Sequence, residues 1–306
     1  MNFPGVINRF LVWFVVLSAI AGFFLPQVAF LSAFVSGILF VMILGLALTL
    51  EIKEFVSVAR TPWKVLIAIL TQYSVIPLLA YGLSLLIVDE NLAIGILIIG
   101  AAPSEITSAL MVGLANGNLV LGTTIMIFSI LVSPFAMPWI LSIMSVDSTS
   151  LDSIALFRQL LLIVVVPVLI GVMIRTRFRH LQRHKDWFTS LSSTMVILLI
   201  FIVASKSGEE ILNFSLIGLA LILLALNLLG YGAGYLVARI LHISEVKSYI
   251  FTIGMKEFGI ATAVAIQFFG SGAAIPAAMY GIIMLVTAPI MTRILRDRSY
   301  DYRRLA

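Results

Sequence analysis

The chain has no cysteine, only three histidines and very little charge. Without cysteine there is no disulfide, no thiolate metal site and no cysteine nucleophile. The histidines, His180, His184 and His242, all fall in polar segments. His180 and His184 have the i,i+4 spacing of a metal pair, but they sit within RTRFRHLQRHK and read as part of a solvated basic loop. Charged residues make up 11% of the 306 positions against 61% hydrophobic, and the mean hydropathy is +1.16. That composition excludes a soluble globular protein. No long polar stretch is present to form an attached catalytic domain. The apolar runs hold neither His nor Asp, so the dyads and clusters of a membrane-embedded enzyme are missing too. Neither a cofactor nor a bound metal is expected.

What is there is one membrane-length apolar run after another. Ten spans are predicted, at 8–24, 28–50, 63–88, 91–115, 118–145, 154–174, 188–206, 213–241, 246–270 and 273–295. With the N-terminus inside, 16 of the 19 basic residues fall in cytoplasmic segments. These are Arg9, Lys53, Arg60, Lys64, Arg175, Arg177, Arg179, Arg183, Lys185, Arg239, Lys247, Arg293, Arg296, Arg298, Arg303 and Arg304. The positive-inside rule then places both termini in the cytoplasm, with the cell inner membrane as the expected location. The net charge of +5 is thereby explained by topology, and no nucleic-acid partner is needed. Arg9, the apolar run after it and Ala19-Ile20-Ala21 have the layout of a cleavable signal. We expect that run to be retained, because the repeat described next requires it.

Sliding the second half over the first at an offset of 154 lays IGAAPSEITSALMVGLANGN (99–118) over IGMKEFGIATAVAIQFFGSG (253–272). At an offset of 155, Gln72 lies over Asn227 and LVSP (131–134) over VTAP (286–289). Five spans per half is an odd number, so the halves enter the membrane in opposite senses, as in the inverted repeats of secondary transporters. The expected units are 1–145 and 154–295, a linker at 146–153 and a cytoplasmic tail at 296–306.

Spans four and nine carry matching polar interruptions. Pro103 removes a backbone donor and clashes with the preceding turn. Gly100 loosens the same span, and Ser104, Glu105, Thr107 and Ser108 follow. Span nine has no proline; Gly254 and Gly259 flank Lys256 and Glu257 instead. A kinked helix with Ser and Thr bonded back to carbonyls is one reading. A pair of broken helices facing a central cavity is the reading that the symmetry and the charges favour. Of 14 acidic residues only Glu105 and Glu257 lie deep in a span. A charge there costs roughly 2.5–3.5 kcal/mol on insertion scales unless paired or hydrated. Symmetry puts Lys256 opposite Ala102 and Glu105 opposite Gly259, so Lys256 is expected to approach Glu105 at an antiparallel crossing.

These residues resemble a known family. GLALTLEIKEF (45–55), GAAPSEITSALMVGLANGN (100–118), IGMKEFGIATA (253–263) and Ile275-Pro276 are similar to motifs of the bile acid:sodium symporter superfamily, over nearly the whole chain. The resemblance implies a panel domain of spans one, two, six and seven against a core domain of the other six. Spans four and nine would cross at unwound centres, with substrate bound between the domains and sodium behind the crossing. Arsenite exporters of similar build use a cysteine in span four, which this chain lacks. The family's sodium-ligating Asn in span four matches Ala109, its Glu in span nine Thr252, a Gln there Lys256, and a hydroxyl in span five Ile130. Gln72 and Ser108 keep their types.

The expectation is therefore an all-α integral membrane protein carrying a small organic anion by alternating access, with altered sodium sites. The anion would be held by the N-terminal ends of the half-helices, where backbone dipoles favour negative charge. The candidate site is Gln72, Ser104, Glu105, Thr107, Ser108, Asn227, Thr252, Lys256 and Glu257, with Pro103, Gly100, Gly254 and Gly259 at the breaks. Its partners are the lipid bilayer and the anion; the coupling ion is a proton or sodium. An auxin-efflux-type carrier has the same architecture, and a channel or membrane-embedded enzyme belongs to other classes. The oligomeric state is left open.

Overall fold

The structure is a computed structural model. It describes Ile7 and residues 10–49, 62–144, 152–213 and 216–297. Arg9, Lys53, Arg60, Arg298, Arg303 and Arg304 lie outside the described residues, as do residues 50–55 of the GLALTLEIKEF segment and most of the linker at 146–153.

Among the described residues the regular structure is helical, with no strand. Helix α1 spans Leu11–Phe23, and a 3-10 segment, Pro26–Phe34, leads into α2 at Val35–Ala47. Then follow α3 (Pro62–Ser84), α4 (Glu90–Ala101), α5 (Ser108–Leu114) and α6 (Leu119–Met144). Helix α7 (Ser153–Leu160) passes through a π turn, Leu161–Val165, into α8 (Val166–Arg177). Next are α9 (Lys185–Asn213), α10 (Leu216–Ile240), α11 (Val246–Gly254) and α12 (Phe258–Val264). A second π turn, Ala265–Phe269, precedes α13 (Ala274–Asp297).

Seven of these helical stretches are long and apolar enough to cross a membrane. The first predicted span and the two interrupted ones fall short: Trp13–Phe23, Glu90–Ala101 and Phe258–Phe269 are shorter apolar helices. Large apolar side chains such as Trp13, Trp139 and Ile217 stand exposed, an arrangement that only hydrocarbon makes favourable. Polar caps mark several helix starts. Asp89 accepts from Leu92 N at 3.0 Å, Asn118 from Leu121 N at 3.0 Å, and Asp152 from Ile154 N and Ala155 N at 3.1 and 2.9 Å. Each satisfies amides that the first turn leaves without an intrahelical partner.

In lipid, helices associate through close packing rather than through the hydrophobic effect, and small residues make that possible. Helix α1 lies along α9, where a Cβ at Gly22 would stand 2.9 Å from Ala204 Cβ. Helix α2 packs on α8 and α9. A second set of neighbours comprises α3 with α4 and α6, α10 with α11 and α13, and α12 with α13. An ion pair between Lys64 and Glu245, at 2.7 Å, ties the start of α3 to the N-cap of α11.

Candidate functional site

Two helices break at the same place in space. The chain leaves α4 at Ala102, whose φ −63°, ψ 153° is extended, as the residue before a proline tends to be. It re-enters helix at Ser108. The other chain segment leaves α11 at Met255, with φ −98°, ψ 121°, and re-enters at Phe258. The two gaps pair as an antiparallel bridge between Ser104 and Lys256. Glu105 N donates to Met255 O at 3.0 Å, and Glu257 N to Pro103 O at 2.9 Å. Each break thus supplies partners for backbone groups that the other has lost, which is how non-helical backbone survives at membrane depth.

Side chains alternate along such a ladder, and directly opposed residues share a face. Ser104 and Lys256 therefore point one way, Glu105 and Glu257 the other. On the Ser104 face, Ser104 Oγ lies 2.8 Å from Gln72 Oε1 and 2.5 Å from the Thr252 carbonyl oxygen. Ser129 Oγ accepts from Ser104 N at 2.8 Å and from Gln72 Nε2 at 2.7 Å, while Tyr73 OH donates to Ser129 O at 2.6 Å. Lys256 is buried on this side with its Nζ 5.8 Å from the centroid of the Tyr73 ring and no hydrogen-bond partner.

The expected approach of Lys256 to Glu105 is overturned. Neither partner order nor helical spacing decides it; Lys256 and Glu105 sit at ladder positions of opposite parity, and the bridge turns them apart. Glu105 meets Glu257 instead. Their side chains come within hydrogen-bonding range of each other, and both are buried. Glu257 Oε1 accepts from Gly259 N at 3.3 Å, capping α12, and its Oε2 accepts from Ile106 N at 3.4 Å. Glu105 Oε1 lies 3.5 Å from both Thr107 N and Thr107 Oγ1. The N-terminal ends of the half-helices, expected to hold a substrate anion, are thus occupied by the chain's own carboxyl groups.

Asn227 is the counterpart of Gln72 on the second break. Its Nδ2 donates to Gly254 O and to Tyr280 OH, both at 3.1 Å, and its Oδ1 accepts from Thr287 Oγ1 at 2.6 Å. Tyr280 OH also donates to Gly254 O at 2.9 Å. A Cβ on Gly254 would lie 2.7 Å from Tyr231 N, so only glycine lets α11 approach α10 this closely. Gly100 is equally buried against Ala80, and Gly259 against Met42. Thr252 Oγ1 is turned back to Ser248 O at 2.7 Å, and the Ser108 hydroxyl is buried without a partner.

Ser129, Tyr73, Tyr280 and Thr287 belong to this cluster and escaped sequence reasoning. Ser129 precedes Ile130, the position matched to a lost hydroxyl, and its own hydroxyl joins Gln72 to Ser104. A one-residue shift in span five was the available signal. The cavity beside the crossing, lined by Ile43, Ala47, Ile106, Ile127 and Ile130 among others, is about 10 Å³, room for one water at most. A cavity of about 890 Å³ lies elsewhere, between the α5–α6 turn and the α10–α11 connection, lined by residues including Asn116, Asn118, Arg239, His242 and Lys247. His180 and His184 form no metal cluster among the described residues.

Lipid-facing helices around two that break at a shared, buried polar bridge define a multi-pass membrane protein. Residues 37–214 match the Sodium Bile acid symporter family, and the chain belongs to it. It is 27% identical over 286 residues to an uncharacterized sodium-dependent transporter, YocS, of Bacillus subtilis (strain 168), across 92% of this chain and 88% of that protein. It is 30% identical over 221 residues to sodium/bile acid cotransporter 4 of Homo sapiens, across 70% of this chain and half of the human protein. Similarity at 25% over 262 residues extends to a probable sodium/metabolite cotransporter, BASS1, chloroplastic, of Arabidopsis thaliana, with 84% and 65% covered. These are names of transporters, and the chain is a transporter rather than an enzyme.

Proposed function

We propose that the protein is a secondary active carrier of a small organic anion that works by alternating access without requiring sodium. The observation that carries this reading is the bridge of Ser104 and Lys256, which buries a lysine side chain where the family resemblance implies an oxygen ligand. A hard cation needs oxygen donors. Here Ala109 offers a methyl, Thr252 a hydroxyl already bonded to its own helix, and Lys256 only its nitrogen. The resident lysine stands in for the mobile cation, while the carboxyls of Glu105 and Glu257 lie on the opposite face of the ladder.

Ten spans form two inverted repeats, 1–145 and 154–295, joined by 146–153 and followed by a tail at 296–306. Both termini lie in the cytoplasm of a cell whose inner membrane holds the protein. The α1, α2, α7–α8 and α9 group is the panel, and the remaining helices are the core. The anion binds between them, beside the crossing, with Gln72, Ser104, Thr107, Ser108 and Asn227 as polar neighbours. The bile-acid names of relatives support an anionic organic cargo.

A thermal-shift screen of the purified protein with cholate, pantoate, pyruvate and taurine, with and without sodium, identifies the anion class. Uptake of the most stabilising anion into proteoliposomes is then compared in sodium and choline buffers at fixed pH. Equal rates are expected. A steep, saturable sodium dependence contradicts the reading. Counterflow separates a carrier from a channel, since only a carrier accumulates label transiently by exchange.

A further inference from the structure

Resting on that carrier reading, we infer that Glu105 and Glu257 form a carboxyl dyad that holds one proton, and that this dyad is the site of the coupling ion. Four carboxyl oxygens meet at the far face of the bridge. Three have an N–H or O–H donor: Glu257 Oε1 has Gly259 N, Glu257 Oε2 has Ile106 N, and Glu105 Oε1 has Thr107. The fourth, Glu105 Oε2, is buried with no donor from the protein. Two carboxylates in contact cannot both be ionised, and a single proton between them removes the repulsion. The geometry assigns that proton to Glu105 Oε2, where the O–H donates to the Glu257 carboxylate.

Among the described residues no other charge relieves the pair. Lys256 is turned to the opposite face of the ladder, over Tyr73. Tyr280, from α13, is hydrogen-bonded to Gly254 O and Asn227. Helix α2 presents Met42 near Gly259, and its described sequence Val35–Ala47 has no ionisable residue. In α4 the one acidic residue, Glu90, is at the far end, and α5, α6 and α12 have none. Lys185 and Asp186 start α9, and Lys206 lies well along it. Tyr73 and Tyr231 face the Gln72 and Asn227 sides.

While the crossing is closed the proton stays; when it opens to water, hydration lets both carboxyls ionise and the O–H proton passes to solvent. A proton moved together with a monovalent anion transfers no net charge.

Infrared spectroscopy of the purified protein tests the dyad without any substrate. A protonated-carboxyl C=O stretch, sensitive to deuterium exchange, is expected at neutral pH and should be absent from the Glu105→Gln/Glu257→Gln double variant. No such band in the natural protein, or a band that survives in the double variant, overturns the dyad. In sodium-free proteoliposomes an imposed pH gradient should drive accumulation of the best-stabilising anion from the screen, and Glu105→Gln should lose that accumulation. A band with accumulation driven only by a sodium gradient overturns the coupling role. Failure of the carrier reading shows separately, as absence of counterflow. If Glu105→Gln folds poorly, Glu257→Gln provides the same measurement from the other side of the dyad.

Discussion

The two broken helices reach one geometry by different means. The first, α4–α5, has Pro103 at its break, which removes a backbone donor and crowds the preceding turn, so the local sequence already favours an interruption there. The second, α11–α12, has no proline. Its residues 255–257 are extended because the bridge, Asn227 and Tyr280 hold Gly254 and its neighbours there. One break is written locally; the other is imposed by contacts from distant parts of the chain. Two matching breaks do not require matching encoding.

That difference has measurable consequences. Asn227→Leu removes three hydrogen bonds, two of them fully buried, from the second break and should cost about 3 kcal/mol in unfolding free energy. Gln72→Leu removes contacts to Ser104 and Ser129, but Pro103 still disfavours a helix at the first break, so about 1 kcal/mol is expected. Denaturation of both variants in detergent checks the ordering. Equal losses would mean that both breaks depend on tertiary contacts alike.

Next in size is a gain. Lys256 carries a buried amine nitrogen with no hydrogen-bond partner. Lys256→Met keeps the length of the chain and removes an unsatisfied donor group, so stability should rise by about 1–3 kcal/mol while transport is lost. A fall in melting temperature would show that Lys256 is paired after all.

The smallest effect lies outside the membrane, at the tie between α3 and α11. Burial pushes the Glu245 carboxyl up, but hydrogen bonds from Lys64 and Ser244 outweigh it and hold it below its ordinary value of 4.5. Because the folded value is the lower one, the stabilisation is fully present above pH 4.5 and fades as the pH falls through the depressed value. Lys64→Ala should cost about 1 kcal/mol or less at neutral pH and nothing in strong acid. A melting series from pH 7 downward on both proteins tests it. A pH-independent difference would assign the loss to packing of the lysine stem.

Much of this was legible in the sequence. Apolar runs located the helices, Pro103 located the first break, and the offset of 154 carried it to the second. Glu105, Lys256 and Glu257 stood out because charge is costly in hydrocarbon. What stayed hidden was direction. Helical reasoning sets Lys256 and Glu257 about 100° apart, whereas the extended backbone of 255–257 sets them on opposite faces. Whether that segment is helical depends on a partner 150 residues away, which no local pattern reports. Ser129 was hidden for a related reason, since a hydroxyl on an apolar helix is unremarkable until Gln72 and Ser104 are brought to it.

The alternation at the bridge bears on which length changes the two breaks tolerate. In a ladder of two hydrogen bonds, a shift by one residue exchanges the faces of every side chain. A one-residue insertion or deletion between Gly254 and Phe258 would swing the ammonium onto the carboxyl side. A change of two would preserve the sorting of charges. Related chains that differ in length at either gap should therefore differ there by even numbers, and odd differences should travel with a compensating change in the opposite gap.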